Sequence, residues 1–483
     1  MENAIMNSNY RYRVGGALTW SDPTYVTRQA DEDLYSTVQQ GRFCQVLSPR
    51  QIGKSSLRLR TSHRLQQAGY RCVSVQATQL TGDEYGMQSH GQRDTPWDKP
   101  LIALIWQALG LTQADQLFLE TVPKAIPAAV TDEAAIRAAG KPADSAAVNC
   151  EADKSRAAVV EALSVWLNAT AHLSCAQRLE KFAKVLLLGL SDAAPVVVFI
   201  DEIDYLLAFP VVARALFKWI ETCQLASQRL QQQAAPPITT PPSTASTAPP
   251  PAALTFVVLG KLLPADLEAC LPPALSAFQN ASSTLITLAP FERVQTQPLC
   301  EGFMQIVDQP RAVLDFILDW TGGQPFLTQK LCRTVYDFLS GLDEVPTEPL
   351  KLSPKALKAW IAQMVRSEIV EDWRQKDDPI HLRAIYDDIV RSPNAEALIT
   401  LCQQIASQLV VTADGSALQA ELMMSGLVTA VNNPQQAEKQ DKRQVKRQVS
   451  KQLQINNEIY RQTFPFLQES PSATPGKVCS VLH

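Results

Sequence analysis

Residues 48–55 read Ser-Pro-Arg-Gln-Ile-Gly-Lys-Ser, which is the spacing of a phosphate-binding loop. In the pattern G-x-x-x-x-G-K-[ST], backbone N–H groups surround the phosphates, the lysine reaches the β- and γ-phosphates, and the final hydroxyl binds Mg²⁺. Gly53, Lys54 and Ser55 supply these three parts, and Ser48 stands where the pattern has its first glycine. The octet therefore predicts a site for a nucleoside triphosphate.

The elements around the loop must be a strand before it and a helix after it. Residues 43–47 form an apolar run of strand length, and residues 55–68 have a helical pattern that ends before Gly69, a typical C-cap. A second strand is predicted over residues 70–75. Lys54 is also predicted to act in catalysis. The predicted nucleotide contacts of the loop are Ser48, Pro49, Arg50, Gln51, Ile52, Gly53, Lys54, Ser55 and Ser56.

Two acidic residues follow the uninterrupted apolar run at 196–200, which predicts a buried parallel strand. Ligands of open α/β sheets bind at the carboxyl ends of the strands. We therefore expect Asp201, like Ser55, to be a ligand of the magnesium ion, and Glu202 to act as the general base on the attacking water. The same pair is also open to interpretation as an acidic helix cap.

Composition limits the class of protein. The chain has 483 residues, of which 46% are hydrophobic, so it can build two or three domains. A net charge of -4 gives no global field for nucleic acid, and the ten cysteines form neither a disulfide framework nor a zinc pattern. No signal peptide or membrane-spanning run is present in the sequence. We expect a soluble, cytoplasmic protein that does not contact membranes.

Three biased stretches interrupt the chain. Residues 128–158 are rich in alanine and charge, and we interpret them as a surface helix or an insertion without a fixed fold. Residues 231–254 are dominated by Pro, Ser, Thr and Ala, which predicts a flexible loop. Residues 438–451 are basic, and we interpret them as a solvated loop or helix extension, with contact to nucleic acid as the alternative.

Four blocks in this order resemble one family: YVTRQAD from Tyr25, FCQVLSPRQIGKSSLRLRT from Phe43, VVVFIDEID from Val196 and WTGGQPFLTQ from Trp320. Together they are similar to the AAA-like, STAND-type P-loop NTPases of cyanobacteria, which often have serine at the first position of the loop. The resemblance implies ATP and Mg²⁺ as ligands. It also implies an α/β P-loop NTPase core, a parallel sheet with helices on both faces, followed by a helical lid and a C-terminal winged-helix-like domain.

The resemblance implies further site residues. Arg28 lies in a segment that approaches the nucleotide base in the family, although Thr27 replaces its usual glycine and Asp31 its glutamate. Lys261 ends the strand that corresponds to the family's sensor 1 strand, where it either touches the γ-phosphate or points to water. Pro325 closes a G-x-P motif whose proline packs against adenine from the lid. The alternative interpretation of Pro325 is a helix start with proline in its first turn.

The resemblance and the biased stretches together predict the domain organisation. Helices are expected at 354–369 and 398–409, and strands at 422–431 and 453–455. The predicted parts are an N-terminal lead-in at 1–23, the NTPase core at 24–298 with insertions near 128–158 and 231–253, the lid at 299–348, the winged-helix-like domain at 349–466 with its basic insertion at 438–451, and a flexible tail at 467–483.

Two classes of function remain open. One is an ATP-dependent switch in signalling or assembly with slow hydrolysis, that is, an ATPase with regulatory rather than metabolic turnover. The other is a DNA-associated ATPase of the initiator or transposition-helper kind, which would use the winged helix and the basic segment. A sensor that binds without hydrolysis is a third interpretation, against which Glu202 argues. Because the sequence ends at His483 without a repeat or effector domain, we expect a protein partner or self-assembly to carry the output.

Overall fold

The computed structural model of this chain describes residues 10–80, 97–109, 150–189, 194–234, 254–263, 266, 283–341, 353–407, 410–432 and 451–468. The chain divides into two compact units, each made of separate segments. The C-terminal unit comprises Met1–Gln29, Ser48–Leu59 and Leu288–His483. The sheet unit comprises Ala30–Leu47 and Arg60–Thr287. The phosphate-binding loop thus belongs to the same compact unit as the C-terminal segment Leu288–His483. The domain boundaries drawn from the motifs stay a prediction.

A parallel five-stranded sheet forms the centre of the sheet unit. Its strand order is β2-β3-β4-β1-β5, and all its paired strands run parallel. Every residue of β1, β3 and β4 is buried, as expected of central strands covered on both faces. The strands are β1 (Phe43–Leu47), β2 (Arg71–Gln76), β3 (Val196–Asp201), β4 (Leu254–Gly260) and β5 (Ser283–Leu285).

Helices of the sheet unit pack onto this sheet, with α3 against β2 and α6 against β4. A row of buried aromatic rings fills the space between them. Trp106 lies 6.2 Å from Phe182, which lies 6.1 Å from Trp219, and Trp219 meets Phe256 of β4 edge-on at 5.4 Å between ring centroids. These helices are α3 (Asp98–Leu109), α4 (Cys150–Ala169), α5 (Cys175–Gly189) and α6 (Pro210–Ala234).

A buried ion pair joins α3 to α5 within this core. The guanidinium of Arg178 donates from Nε to Asp98 Oδ2 at 2.5 Å and from Nη2 to Asp98 Oδ1 at 3.0 Å. Its Nη1 donates to the carbonyls of Thr170 and Leu173 at 3.1 and 3.2 Å, beyond the end of α4. Both charges are thus paired and hydrogen-bonded, which is the condition for keeping them in an apolar core.

Two helices begin in one unit and continue into the other, namely α1 (Gln29–Gln39) and α2 (Lys54–Gln67). Helix α2 follows the phosphate-binding loop directly. It ends at Gln67, two residues before Gly69, whose φ of +87° is a left-handed conformation that glycine adopts without steric cost.

The C-terminal unit is mainly helical and carries an antiparallel hairpin of β6 (Val428–Asn432) and β7 (Lys451–Ile455). Several of its helices start with a polar side chain that accepts the backbone N–H of the third helical residue, as the caps Ser353, Ser416 and Asn457 do. Its helices are α7 (Gln297–Cys300), α8 (Pro310–Thr321), α9 (Pro325–Ser340), α10 (Pro354–Val365), α11 (Trp373–Lys376), α12 (Leu382–Val390), α13 (Ala395–Ala406), α14 (Ala417–Ser425) and α15 (Glu458–Thr463).

The N-terminal segment is built into the core of the C-terminal unit. The phenol of Tyr12 donates to the carbonyl of Leu299 at 2.6 Å, and that of Tyr10 donates to the carbonyl of Pro298. Burial raises the pKa of both phenols. Both rings lie against Gly302, where a side chain has no room. This segment is therefore part of the folded unit.

The secondary structure around the two motifs is confirmed. Strand β1 has the predicted bounds, α2 begins one residue before the predicted helix, and β3 carries Asp201 as its last residue. The α/β class with a parallel sheet is confirmed as well. The helical lid and the winged-helix-like domain stay predictions.

Two predicted boundaries are wrong. The ends of the loop expected at 231–254 are wrong, because residues 231–234 belong to α6 and Leu254 to β4; residues 235–253 lie outside the described residues. The strand expected at 422–431 is a helix in its first part, because α14 runs to Ser425 and Gly426 ends it with a φ of +87°. Of the stretch 128–158, residues 150–158 belong to α4 and the rest lies outside the described residues.

Candidate functional site

The strands that precede two of the predicted motifs, β1 and β3, both end at the carboxyl edge of the parallel sheet. Leu47, the last residue of β1, pairs with Gly260, and Ile200, the residue before Asp201, pairs with Val258 two positions earlier in β4. The chain leaving β1 runs to β2 on one side, whereas the chain leaving β4 runs to β5 on the other. Such a reversal of direction is the point at which open α/β sheets bind ligands.

The phosphate-binding loop leaves β1 at this point and turns through two left-handed residues. Gln51 has a φ of +56° and Gly53 a φ of +97°. The Nη1 of Arg28 donates to the carbonyl of Ile52, between these two residues, at 2.8 Å, and also to the carbonyl of Ala289 at 3.2 Å. A side chain at Gly53 would place its Cβ 2.9 Å from Nη2 of Arg28. Arg28 thus holds the second half of the loop from outside.

Lys54 opens helix α2, and its ammonium folds back over the loop. The Nζ donates to the carbonyls of Ser48 and Pro49 at 2.8 and 2.7 Å. The positive end of the helix dipole and the ammonium therefore lie at the same end of α2, an arrangement that favours an anion. The hydroxyl of Ser56 accepts a hydrogen bond from the backbone N–H of Leu18 at 3.0 Å, which links the helix to the N-terminal segment.

Residues far along the chain in the C-terminal unit form hydrogen bonds with Gln51. They bond both ends of its side-chain amide and its backbone carbonyl. Its Nε2 donates to the carbonyl of Ile380 at 2.9 Å, and its Oε1 is hydrogen-bonded to Nδ1 of His381. Its backbone carbonyl accepts the Nε2 of Gln324 at 3.2 Å. Gln324 is the middle residue of the predicted G-x-P motif. The loop is therefore bonded to two separate stretches far along the chain.

His381 is buried, with 3% of its surface exposed. Its Nε2 lies 2.8 Å from the hydroxyl of Tyr460, and its ring lies 4.8 Å from that of Phe326 between centroids. Since Gln51 presents its Oε1, Nδ1 carries the proton and Nε2 accepts from Tyr460. Burial, with Lys330 nearby, lowers the pKa of His381 to about 3, so the imidazole is neutral near pH 7.

The backbone around His381 is anchored by a single buried carboxylate. Asp377 accepts the backbone N–H groups of His381 at 3.0 Å, Leu382 at 3.0 Å and Arg383 at 2.7 Å. These are N–H groups at the start of α12, which have no partner within the helix. Lys330 adds a bond to the carbonyl of Asp378 at 3.1 Å. The position of the imidazole is therefore fixed by its own segment.

The first half of the loop has further neighbours in the C-terminal unit. The backbone N–H of Leu288 lies 3.5 Å from the hydroxyl of Ser48, at the limit of a hydrogen bond. A side chain at Gly426 would place its Cβ 3.2 Å from Cβ of Pro49. Gly426 is the residue that ends α14 before the hairpin. The hairpin end of the unit thus approaches the loop closely.

The acidic pair sits at the end of β3 in the sheet unit. Asp201 is buried, and its Oδ1 accepts the backbone N–H of Glu202 at 3.0 Å. Glu202 is exposed, has a left-handed φ of +59°, and makes no capping hydrogen bond to the helical turn that follows. The interpretation as a helix cap is therefore not supported. The role of Glu202 as general base stays a prediction.

Lys261 and its neighbour are also fixed by this turn. Asp204 accepts the backbone N–H of Lys261 through Oδ1 at 2.9 Å. A side chain at Gly260 would place its Cβ 2.6 Å from Cγ2 of Ile203 and 2.9 Å from Oδ1 of Asp204. The absence of a side chain at Gly260 therefore allows the ends of β3 and β4 to pack closely. Contact of Lys261 with a phosphate stays a prediction.

Pro325 is the first residue of α9 and is buried, so its interpretation as a helix start is confirmed. Gln324 caps this helix by accepting the N–H of Leu327 at 2.6 Å. The backbone of Gly323, two residues before Pro325, packs closely against the backbone of Phe291. A side chain at Gly323 has no room there. The contact of Pro325 with adenine stays a prediction.

The sequence did not single out His381 or Tyr460 as functional residues. His381 directly precedes α12 and Tyr460 lies within α15, and no spacing relates either of them to the loop. The only sequence signal for Gln51 was its place in the octet. Residues 438–450 of the basic segment lie outside the described residues, so its assignment stays a prediction.

Over the described part of the chain, no cluster of three or more His, Cys, Asp or Glu side chains is placed to bind a metal. Ser55 and Asp201 carry oxygen atoms of the kind that Mg²⁺ prefers, and their role as its ligands stays a prediction. No helix within the same ranges has the length and apolar character needed to cross a bilayer.

Comparisons with known proteins give limited matches. No protein-family model matches the chain. It is 29% identical over 427 residues to an uncharacterized WD repeat-containing protein of Synechocystis sp., a match that covers 87% of this chain and 28% of that protein. The chain therefore spans little more than a quarter of that relative. The Aeropyrum pernix ORC1 protein, solved in complex with DNA, matches with a TM-score of 0.32 and 10% identity over 92% of this chain and 93% of its own.

Proposed function

We propose that this chain binds ATP with Mg²⁺ and acts as a nucleotide-dependent conformational switch of the STAND type, with slow hydrolysis. The observation that carries the proposal is the loop at 48–55, which joins a fully buried parallel strand to the N-terminus of a helix at the switch point of the sheet. Backbone N–H groups, a helix dipole and the ammonium of Lys54 together make a site for a polyphosphate.

The residues of the sheet edge would complete the chemistry. Bound Mg²⁺ would neutralise charge on the β- and γ-phosphates. In this proposal the hydroxyl of Ser55 and the carboxylate of Asp201 hold the ion. Glu202, exposed at the end of β3, takes the proton of the attacking water. Arg28 lies outside the loop and fixes its shape, whether or not it also touches the base.

The arrangement of the C-terminal unit supports a switch rather than a metabolic enzyme. The loop and the C-terminal segment from Leu288 form one compact unit, and Gln51 is bonded to Gln324, Ile380 and His381. A ligand that occupies the loop acts directly on these contacts. If ATP binds one arrangement only, saturation at about a hundred times its dissociation constant favours that arrangement by about 2.7 kcal/mol.

The output of the switch is proposed to pass to a protein partner or to another copy of the chain. The Synechocystis relative is named for WD repeats, and this chain corresponds to 28% of it. In that protein, a segment like this one is joined to a much longer chain. We infer that the module regulates protein assembly, and that its helical lid and winged-helix-like domain transmit the nucleotide state. No described residue favours the DNA-associated alternative.

Titration of a fluorescent ATP analogue, with phosphate release followed in parallel, tests the proposal on the full chain. We expect Lys54→Ala to lose binding at least tenfold, because the ammonium contributes to both the loop and the phosphates. We expect Glu202→Gln to bind ATP like the wild type and to lose hydrolysis, because only proton transfer is removed.

Lys184→Ala serves as the matched control, since Lys184 is an exposed lysine of α5 with 64% of its side chain accessible. It should bind and hydrolyse ATP like the wild type. Unchanged ATP affinity in Lys54→Ala would show that the loop is not the nucleotide site. Full hydrolysis in Glu202→Gln would remove the general base from the proposal and leave binding intact.

A further inference from the structure

Gln51 adopts a backbone conformation that its side chain disfavours. Its φ of +56° is left-handed, a region that residues with a Cβ enter at a steric cost and glycine enters freely. Such a residue persists only when its surroundings over-determine it. Since Gln51 lies in the middle of the phosphate-binding loop, whatever holds Gln51 also sets the directions of the loop N–H groups.

The side chain of Gln51 is held by two consecutive residues of one distant segment. Its Nε2 donates to the carbonyl of Ile380 at 2.9 Å, which fixes the amide orientation because a carbonyl only accepts. The Oε1 then faces Nδ1–H of His381. Tyr460, at 2.8 Å from Nε2 of the same ring, holds the imidazole from behind. The chain of contacts runs from α15 through the imidazole to the loop.

We propose that His381 is a positioning residue for nucleotide binding, which keeps the phosphate-binding loop in its binding shape by holding Gln51 in the left-handed conformation. The proposal rests on the proposed ATP site. His381 touches no phosphate in this scheme and acts only through Gln51. Tyr460 and the buried Asp377 keep the imidazole in place, the first through Nε2 and the second through the backbone.

The two ring nitrogens of His381 have separate partners, which gives a matched pair of variants. An asparagine amide places its N–H where Nδ1 stands, so His381→Asn keeps the donor to Gln51 and loses Tyr460. A glutamine amide reaches the place of Nε2, so His381→Gln keeps a group for Tyr460 and loses the donor to Gln51. The proposal requires that the two substitutions affect nucleotide binding differently.

A purely structural role for His381 would also weaken binding, by loosening the unit as a whole. Gln51→Gly separates the two roles, because glycine adopts the left-handed conformation without support. In the Gln51→Gly background the loop keeps its conformation without the imidazole, so loss of His381 should leave the loop unchanged. A double-mutant cycle between the two positions therefore measures the positioning effect alone.

The experiment measures ATP affinity and thermal unfolding of full-length variants. We expect His381→Ala and His381→Gln to bind ATP about tenfold more weakly than the wild type, equivalent to about 1.4 kcal/mol. His381→Asn should stay within about twofold of the wild type. In the Gln51→Gly background, His381→Ala should change the affinity less than about twofold, while still lowering the midpoint of thermal unfolding.

Each alternative has its own signature. Equal losses of affinity in His381→Asn and His381→Gln, or the same loss with and without Gln51→Gly, would overturn the positioning role. If wild-type protein binds ATP and His381→Ala binds it equally well, this inference fails while the proposed function stands. If the wild type binds no ATP, the proposed function fails, and the inference falls with it.

Discussion

Substitution of Gly53 by alanine tests the packing of Arg28 against the loop. Gly53 has a φ of +97°, and an added Cβ would lie 2.9 Å from Nη2 of Arg28. Arg28 has only 7% of its surface exposed, and its Nη1 donates to two carbonyls, those of Ile52 and Ala289. The guanidinium has little room to move away without giving up these bonds.

The magnitude follows from two separate costs. Alanine in a left-handed conformation costs about 1–2 kcal/mol. Displacing Arg28 weakens hydrogen bonds from a charged group, each of which contributes about 1.5–3 kcal/mol. We therefore expect Gly53→Ala to lower the free energy of unfolding by about 3–5 kcal/mol and to abolish nucleotide binding.

Gly69 provides the matched control at the other end of helix α2. Its φ of +87° is similar, but an added Cβ would meet no heavy atom within 4 Å. Gly69→Ala should therefore show the conformational cost alone, about 1–2 kcal/mol. Urea unfolding followed by circular dichroism measures both variants, with the slope m checked for a change in two-state behaviour.

The double variant with Arg28→Ala makes the reasoning refutable. Without the guanidinium, the extra cost of Gly53→Ala over Gly69→Ala should disappear, because the atom that the Cβ meets is gone. Equal destabilisation by Gly53→Ala and Gly69→Ala in the presence of Arg28 would show that the steric contact has no energetic weight.

Two further predictions concern buried charge. Arg178→Ala should destabilise the protein by about 3–5 kcal/mol in urea unfolding because it leaves Asp98 as an unpaired buried carboxylate, whereas Lys184→Ala on the same helix should change stability by less than about 0.5 kcal/mol. Similar values for the two variants would contradict the role of burial. The pKa of His381 is lowered from 6.5 to about 3 in the folded protein, so between these pH values the unfolded chain binds a proton that the folded one does not. The contribution of neutral His381 to the free energy of unfolding is therefore fully present above about pH 6.5. It falls by up to about 1.4 kcal/mol per pH unit as the pH drops towards 3. Urea unfolding at about pH 7 and about pH 5 should show this loss in the wild type and a smaller one in His381→Asn.

The elements next to the two motifs were predictable because their local signals agree. An unbroken apolar run precedes the loop, glycine follows α2, and a second apolar run ends in two acids. Each of these patterns has one structural interpretation at that length. The sheet edge and the start of α2 could therefore be located from the sequence.

The wrong boundaries arose where local signals compete. Glutamine and alanine favour helix, so residues 231–234, which composition assigned to the loop, belong to α6. The apolar residues around Leu422 fit both a helix and a strand, and the left-handed Gly426 decides between them. Short apolar runs carry no period of their own.

The part of the site that involves His381 was not predictable from the sequence. His381 lies 330 residues from Gln51 along the chain. A lone histidine before a helix has no sequence pattern that indicates its partner. The contact depends on how the whole C-terminal unit packs, from the carboxylate of Asp377 to the hydroxyl of Tyr460. Tertiary packing of this kind leaves no local signal.

The N-terminal tyrosines have a practical consequence for producing this protein. Expression from residue 24, the start suggested by the motifs, would delete Tyr10 and Tyr12 and leave the carbonyls of Pro298 and Leu299 without their donors. It would also remove the N–H of Leu18 from the hydroxyl of Ser56 beside the loop. If a shortened version aggregates or fails to bind nucleotide, the cause would then be the deleted part of the core and not a defect in the binding site.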